Sequence, residues 1–192
     1  MIFKGEPTIT TIVLHHTAVS RGVQPLQLNA VNNYHKQKWN SKSELDYYVG
    51  YNFFCEPTGK RTQTRKIGEE TIAQIGNNCD VPERCGMVSY CMAGSFDIEK
   101  PTQQQINDFV EFYREIKQLY PDVIVKQHKD VHPGRTCACL PNDEVQGWLT
   151  IQPSNETDEQ KITRLTSELD VAKKQIKQLI DINTKLLQLV AK

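Results

Sequence analysis

The stretch Ile12-Val13-Leu14-His15-His16-Thr17-Ala18 joins a run of branched apolar side chains to a pair of histidines. Because such apolar residues are enriched in buried strands, this stretch predicts a core strand that ends in two imidazoles. Far along the chain, residues 128–137 bring His128, His132 and Cys137. Two imidazoles and one thiolate can hold a zinc ion and leave its fourth position to water, as in catalytic zinc sites. The two stretches together predict a zinc-dependent hydrolase.

Strand and helix patterns alternate around this stretch from about residue 8 to residue 149. The spacing of Leu28, Val31, Tyr34 and His35 predicts one face of a helix within residues 26–39. A strand followed by a helix is the first unit of an α/β arrangement.

A longer helix is predicted after Thr102, which can form a capping box with Gln105 ahead of an apolar stripe. Further strands are predicted at residues 47–55, 87–92 and 123–125, and a short closing helix at residues 142–149. Since strands interleave with helices, the expected fold class is α/β, a single mixed β-sheet flanked by helices over residues 1–150.

The charge balance argues against several classes of partner. Lysine and arginine together number 23, as do aspartate and glutamate, so no net field favours nucleic acid or an anionic membrane surface. No apolar run approaches the roughly 20 residues that cross a bilayer, so membrane insertion is not expected. The first residues lack the apolar segment of a signal peptide, and we expect the cysteines to be free thiols in a reducing cytoplasm.

The sequence changes character beyond residue 150. Residues 151–158 have the composition of a linker, and residues 159–192 show a heptad repeat that predicts a coiled-coil oligomerisation helix. The two seam positions hold Ile162, Leu169, Ile176, Asn183 and Val190, and Leu165, Ala172, Leu179 and Leu186. Apolar residues beside the seam favour three or four chains over two. The alternative is a lone amphipathic helix that folds back onto the first domain.

Residues 8–149 resemble the zinc-dependent N-acetylmuramoyl-L-alanine amidases, a family that includes phage lysozyme-type amidases and peptidoglycan recognition proteins. Several separate stretches carry the resemblance, in the same order along the chain. They are residues 15–18, 34–39, 49–54, 88–97, 101–105 and 128–137. The resemblance implies the mixed-sheet amidase fold and a zinc ion as cofactor.

Position by position, the resemblance implies that His15, His128 and Cys137 are the zinc ligands. Adjacent strand residues point to opposite faces, so His16 is expected to be a packing neighbour of the site. Cys139 stays open as an alternative third ligand. A proline usually follows the ligating cysteine in the family, whereas here Cys137 is followed by alanine and then by Cys139.

The resemblance also implies two catalytic residues. Tyr51 matches a tyrosine that follows a glycine beside the metal, where its hydroxyl could orient water or donate to a developing oxyanion. Arg135 stands where relatives often carry lysine or threonine. Arginine stabilises negative charge but is a poor proton shuttle, so the general acid is left unassigned. Trp39, Tyr48 and His35 are candidate walls of a substrate groove.

The implied reaction is hydrolysis of the amide bond between N-acetylmuramic acid and L-alanine in bacterial peptidoglycan. The expected setting is a phage endolysin made in the host cytoplasm that reaches the cell wall at lysis, with a cytosolic recycling amidase as another possibility. Oligomerised catalytic domains would gain avidity on a polymeric wall. Relatives without the cysteine ligand often only bind peptidoglycan, so a non-catalytic recognition module is the alternative function.

Overall fold

The computed structural model describes residues 1–5, 8–24, 26–73, 77–78, 84–132 and 134–150, together with six helical residues beyond them. Those six are Thr166, Leu169, Lys173, Ile176, Lys177 and Ile180. The chain divides into two compact units, Met1–Ile151 and Gln152–Lys192. The predicted linker at residues 151–158 and most of the predicted coiled coil at residues 159–192 lie outside the described residues. In the described part, no helix is long and apolar enough to span a bilayer.

A five-stranded mixed sheet forms the centre of the first unit. Its strands run in the order β3-β2-β6-β1-β7, in which β3 is antiparallel to β2 and the other neighbours are parallel. The elements are β1 (Thr11–His16), α1 (Leu28–Trp39), β2 (Phe53–Cys55), β3 (Arg61–Gln63), β4 (Asn77–Asn78), β5 (Arg84–Cys85), β6 (Met87–Met92), α2 (Gln103–Leu119), β7 (Ile124–Gln127), α3 (His128–Val131) and α4 (Asn142–Leu149). The strands β4 and β5 pair separately. The predicted mixed sheet flanked by helices is confirmed.

Strand alternation gives the sheet two different faces. On the face covered by α2 and α4, alternate residues of three strands join one large apolar cluster, which includes Leu14, Tyr90, Phe109, Phe112 and Trp148. The face covered by α1 holds a smaller cluster of Val31, Val49, Phe54, Cys91 and Ala93. Because Leu14 belongs to the first face, its neighbour His15 belongs to the second. His15 lies opposite Cys91 in the β1–β6 register.

The strong sequence patterns are confirmed in the fold. The capping box of Thr102 and Gln105 starts α2, and α4 spans the residues predicted for it. One detail of α1 was wrong. Val31 and His35 are buried, but Tyr34 is 55% exposed, so it does not share their buried face.

The strand predicted over residues 47–55 is confirmed only for Phe53–Cys55. Before it, side chains take the backbone N–H groups that strand partners would otherwise bind. Asn32 Oδ1 accepts from the N–H of Tyr48 at 2.7 Å, and His35 Nδ1 accepts from the N–H of Gly50 at 2.9 Å. The approach to β2 is therefore an ordered loop tied to α1.

The outer edge of the sheet at β7 is closed by side chains. Gln146 Nε2 donates to the carbonyl of Val125 at 3.3 Å, and the N–H of Gln127 donates to Asp130 Oδ2 at 2.9 Å. The N–H of Ile124, the residue before Val125, donates to the carbonyl of Thr10 at 3.0 Å. Since backbone groups alternate along a strand, those of Val125 and Gln127 point away from β1. The edge thus has internal partners.

Candidate metal centre and adjoining cavity

Three side chains, those of His15, His128 and Cys137, converge at the carboxyl end of β1 and β7. One ligating atom of each lies within 4.8 Å of those of the other two. The ring centroids of His15 and His128 are 4.5 Å apart, and Cys137 Sγ lies 3.8 Å from His15 Nδ1. The structure therefore brings together the three residues expected to hold zinc.

The donor set fits a metal ion on chemical grounds. The buried Nε2 atom of His128 has no hydrogen-bond partner among the described residues, a costly state for a ring nitrogen unless something else satisfies it. Burial, with the nearby charges of His132 and Arg135, lowers the pKa of His128 to about 4. The imidazole is thus neutral at neutral pH, which is the form that coordinates metals.

Cys137 completes the set with a thiol that contacts both the N–H and the carbonyl of His16. The N–H of His16 donates to its Sγ at 3.3 Å, while burial raises the pKa of Cys137 to about 12. A buried thiol with so high a pKa keeps its proton unless a cation stabilises the thiolate. Two imidazoles and a thiolate match the requirements of zinc.

His16 and Cys139 lie together, apart from this cluster. His16 Nδ1 accepts the N–H of Phe96 at 2.9 Å, and its Nε2 lies 3.8 Å from Cys139 Sγ. The alternation of side chains along β1 explains why His16 faces away from His15. Because Cys139 lies beside His16, it is not part of the cluster of His15, His128 and Cys137.

Tyr51 lies beside the cluster on the α1 side. Its ring centroid is 5.1 Å from that of His15. Burial, reinforced by the sulfur groups of Cys91 and Cys137, raises the pKa of Tyr51 well above its usual value. The phenol therefore stays protonated at neutral pH, and its hydroxyl is hydrogen-bonded to the Cys91 thiol.

Arg135 is exposed on the loop that leads to Cys137. Its positive charge nevertheless lowers the pKa of both His128 and Cys137. Because that influence falls off with distance, the guanidinium lies near enough to the cluster to interact with negative charge there.

A cavity of about 270 Å³ adjoins Tyr51. Its lining comes from the loop after β1, from α1 and from Tyr51. The residues are Thr17, Val19, Gln24, Gln27, Ala30, Val31, Tyr34, His35 and Tyr51. Of the three predicted wall residues only His35 is among them. Most of the others were missed, because they lie in an irregular loop or on exposed helix positions that carry no sequence signal.

Trp39 and Tyr48 lie outside the lining of this cavity. Trp39 is 39% exposed and its ring centroid is 4.5 Å from that of His35, so it is one side chain removed from the cavity. Lys38 Nζ lies 4.7 Å from the Trp39 ring centroid, and Lys36 Nζ lies 5.2 Å from that of Tyr48. Both aromatic rings therefore carry a cation over them at the end of α1.

A buried arginine holds the loop that presents Tyr51. Arg65 is 2% exposed, and its guanidinium donates to the carbonyls of Val49 at 2.7 Å and Ser41 at 2.6 Å. Glu69 lies 3.7 Å from it as a counter-charge. Sequence reasoning missed this role, because an arginine in a charged loop is usually exposed.

Comparisons with known proteins bear on the family and the fold of this chain. The family model for N-acetylmuramoyl-L-alanine amidase matches residues 5–140. No curated protein sequence matches the chain at a significant level. Among solved structures, the N-acetylmuramoyl-L-alanine amidase LysC from Clostridium intestinale is 22% identical, with a TM-score of 0.54 over 76% of this chain and 87% of that chain.

Two other solved structures show the same fold at lower identity. The Ph2119 endolysin from a Thermus scotoductus bacteriophage is 17% identical, with a TM-score of 0.54 over 77% of this chain and 88% of that one. Bumblebee PGRP-SA is also 17% identical, with a TM-score of 0.57 over 80% of this chain and 89% of that one. With the family model covering most of its length, the chain belongs to the N-acetylmuramoyl-L-alanine amidase family.

Proposed function

We propose that this protein is a zinc-dependent peptidoglycan hydrolase that cleaves the amide bond between N-acetylmuramic acid and L-alanine. The observation that carries the proposal is the unpartnered, buried Nε2 of His128, which converges with His15 and Cys137. Membership of the amidase family and the fold shared with phage and clostridial amidases support it.

In this proposal His15, His128 and Cys137 hold Zn²⁺. When bound, zinc lowers the pKa of water and polarises the scissile carbonyl. Tyr51, whose phenol keeps its proton, donates a hydrogen bond to the charge that develops on the carbonyl oxygen. Arg135 adds a fixed positive charge at the open side of the site. Because its guanidinium does not release its proton, Arg135 contributes electrostatics and no proton transfer.

The stem peptide and glycan would lie along the α1 side of the site. His35 lines the cavity beside Tyr51, and Trp39 and Tyr48 extend an aromatic surface beyond it. Such amphipathic rings suit the faces of sugars and peptides. We propose these three residues as substrate-binding groups.

We further propose that the protein acts as an endolysin, made in the host cytoplasm and released to the wall at lysis, and that residues 159–192 join several copies. The described apolar side chains there, Leu169, Ile176 and Ile180, are each more than half exposed. Leu169 and Ile176 fall on one seam position of the heptad, so other copies of the chain could cover them. Sedimentation of the full chain and of a chain ending at residue 150 tests this proposal. The same number of protomers per particle in both would contradict it.

The function is tested on the full chain with purified cell walls. Cleavage should release new L-alanine amino groups, stop after chelation and return with one equivalent of zinc. Cleavage that persists at full rate in chelator would contradict zinc dependence.

The alternative is a recognition module that binds peptidoglycan without cleaving it. The similarity to PGRP-SA and to a recognition protein, PGRP-LE, solved with a monomeric diaminopimelic acid-type peptidoglycan favours it. Tight wall binding by the zinc-loaded chain without any release of amino groups would establish this alternative.

A further inference from the structure

The cavity beside Tyr51 is lined by residues without a formal charge at neutral pH, and Lys38, outside the lining, donates from its Nζ to the Tyr34 hydroxyl at 3.2 Å. Among its lining residues only His35 could become charged near neutral pH, and His35 Nδ1 accepts the N–H of Gly50 at 2.9 Å. This acceptor role requires an unprotonated Nδ1, so the ring proton is on Nε2. Burial, with the charges of Arg65 and Lys38, lowers the pKa of His35 to about 4, which agrees with the neutral ring.

The polar atoms at the base of the cavity are already used. Gln27 Nε2 donates to the carbonyl of Val19 at 2.8 Å, and Gln27 Oε1 accepts from the hydroxyl of Thr17. The same hydroxyl accepts the N–H of Gly94 at 3.0 Å. An anion could take these donors only by breaking bonds within the protein.

The N-terminus of α1 would normally attract an anion, but it is already occupied. The carboxylate of Glu56, 6% exposed, accepts the N–H of Gln27 at 2.9 Å and that of Leu28 at 2.8 Å. These are the donors that anions bind at a helix start. A second carboxylate in the cavity would therefore find those donors taken and a like charge behind Gln27.

Two polar atoms of the lining have no partner among the described residues. One is the Nε2–H of His35, a donor. The other is Gln24 Oε1, an acceptor, whose amide nitrogen already donates to the carbonyl of Leu26 at 2.7 Å. A carboxamide offers one acceptor and one donor for this pair, whereas a carboxylate has no donor for Gln24 Oε1.

Resting on the amidase function proposed above, we propose that this cavity receives the second residue of the stem peptide and selects the form whose α-carboxyl group is amidated. The scissile bond at the metal cluster ends in L-alanine, so the second residue lies one step further along the peptide. Tyr51 contacts both places, since it lines the cavity and its ring lies 5.1 Å from that of His15.

The experiment compares two soluble substrates that differ in one group. They are N-acetylmuramoyl-L-alanyl-D-isoglutaminyl-L-lysine and the same compound with D-isoglutamate in place of D-isoglutamine. On the zinc-loaded full chain we expect kcat/KM to be at least about tenfold higher for the amidated compound, since a carboxylate leaves Gln24 Oε1 without a donor and adds a second negative charge near Glu56. Titration calorimetry should show the same preference in Kd.

A matched pair of variants tests whether the preference for the amidated substrate arises in the cavity. Ala30 is an exposed lining residue of α1, and Ala30→Lys would bring a positive charge to the rim. We expect this variant to bring the two substrates close to equal kcat/KM. The neighbouring Asn29 is exposed and is not part of the lining, so Asn29→Lys adds the same charge and should keep the wild-type ratio.

Equal kcat/KM and equal Kd for the two substrates would overturn the proposal while leaving the amidase function intact. An unchanged ratio in Ala30→Lys would also overturn it, because the selection would then lie elsewhere. If neither substrate is cleaved but the amidated one binds more tightly, the catalytic proposal fails and the selectivity of the cavity stands.

Discussion

The two faces of the sheet differ in what their side chains do. Towards α2 and α4 the strands present apolar residues that pack into one large cluster. Towards α1 the same strands present His15, a buried serine at position 89 and a smaller apolar cluster, next to a cavity. The boundary runs through single strands, since Leu14 and His15 are neighbours with opposite tasks. Alternation along a strand therefore separates stability from chemistry within the width of one residue.

The largest effect on activity should follow from removal of the Cys137 thiol. We expect Cys137→Ser to lower zinc content and to reduce wall cleavage by about a thousandfold, because a ligand and its negative charge are lost. The free energy of unfolding of the metal-free protein should change little. Cys139→Ser, which removes the sulfur beside His16, is the control and should keep zinc and most activity. The reverse result would make Cys139 the ligand.

A substitution on the face covered by α2 should lower stability and leave activity largely intact. Phe112 is fully buried, with ring centroids 4.7 Å from Phe53 and 5.0 Å from Tyr90. Phe112→Ala should lower the free energy of unfolding by about 3–5 kcal/mol, measured by urea denaturation. Its activity per folded molecule should stay within a few fold of wild type. A specific loss of kcat in fully folded Phe112→Ala would show that the two faces are coupled.

Two tyrosines offer the sharpest comparison of the faces. Tyr51→Phe keeps the ring beside His15 but removes the donor, and we expect kcat to fall about a hundredfold with little change in stability. Tyr90→Phe removes a hydrogen bond to Asp108 on the other face and should cost about 1–2 kcal/mol of stability with kcat unchanged. Full turnover by Tyr51→Phe would remove Tyr51 from the catalytic proposal.

A smaller effect should appear in the pH dependence of stability. The pKa of His35 is about 4 in the folded protein against an ordinary 6.5, so between these values the unfolded chain binds a proton that the folded protein does not. The free energy of unfolding should therefore fall as pH falls from 6.5 to 4, by about 1 kcal/mol per pH unit. His35→Gln should lack this part of the slope.

Both proteins should be measured in chelator, so that metal binding adds nothing to the pH dependence of either. Parallel stability curves for wild type and His35→Gln across this range would mean that His35 is not held neutral by the fold.

The sequence predicted most of the fold where one periodic pattern was strong. The bounds of β6 and α4 and the capping box of α2 agree with the structure, because apolar spacing and a local cap determine them. It failed over residues 47–52, where distant side chains such as Asn32 and His35 capture backbone groups. Such contacts depend on tertiary structure and leave no local pattern.

The candidate site divides in the same way. The resemblance to the amidase family predicted that His15, His128 and Cys137 converge, and these three side chains lie together in the structure. The roles of Glu56 and Arg65 were not predicted, because the sequence does not distinguish a buried charged residue in a loop from an exposed one. The cavity was also missed, since its walls come from a loop and a helix whose relation only the folded chain defines.

The closed edge at β7 has a consequence for the behaviour of the protein in concentrated solution. An open edge strand can add a strand from another molecule and start aggregation. Here Gln146 already binds the outward carbonyl of Val125, and Asp130 binds the outward N–H of Gln127. Removing both side chains, as in Gln146→Ala with Asp130→Ala, would expose a template for cross-β growth. Concentrated solutions of that double variant should then become turbid sooner than those of the wild type, as measured by light scattering, whether or not the variant is active.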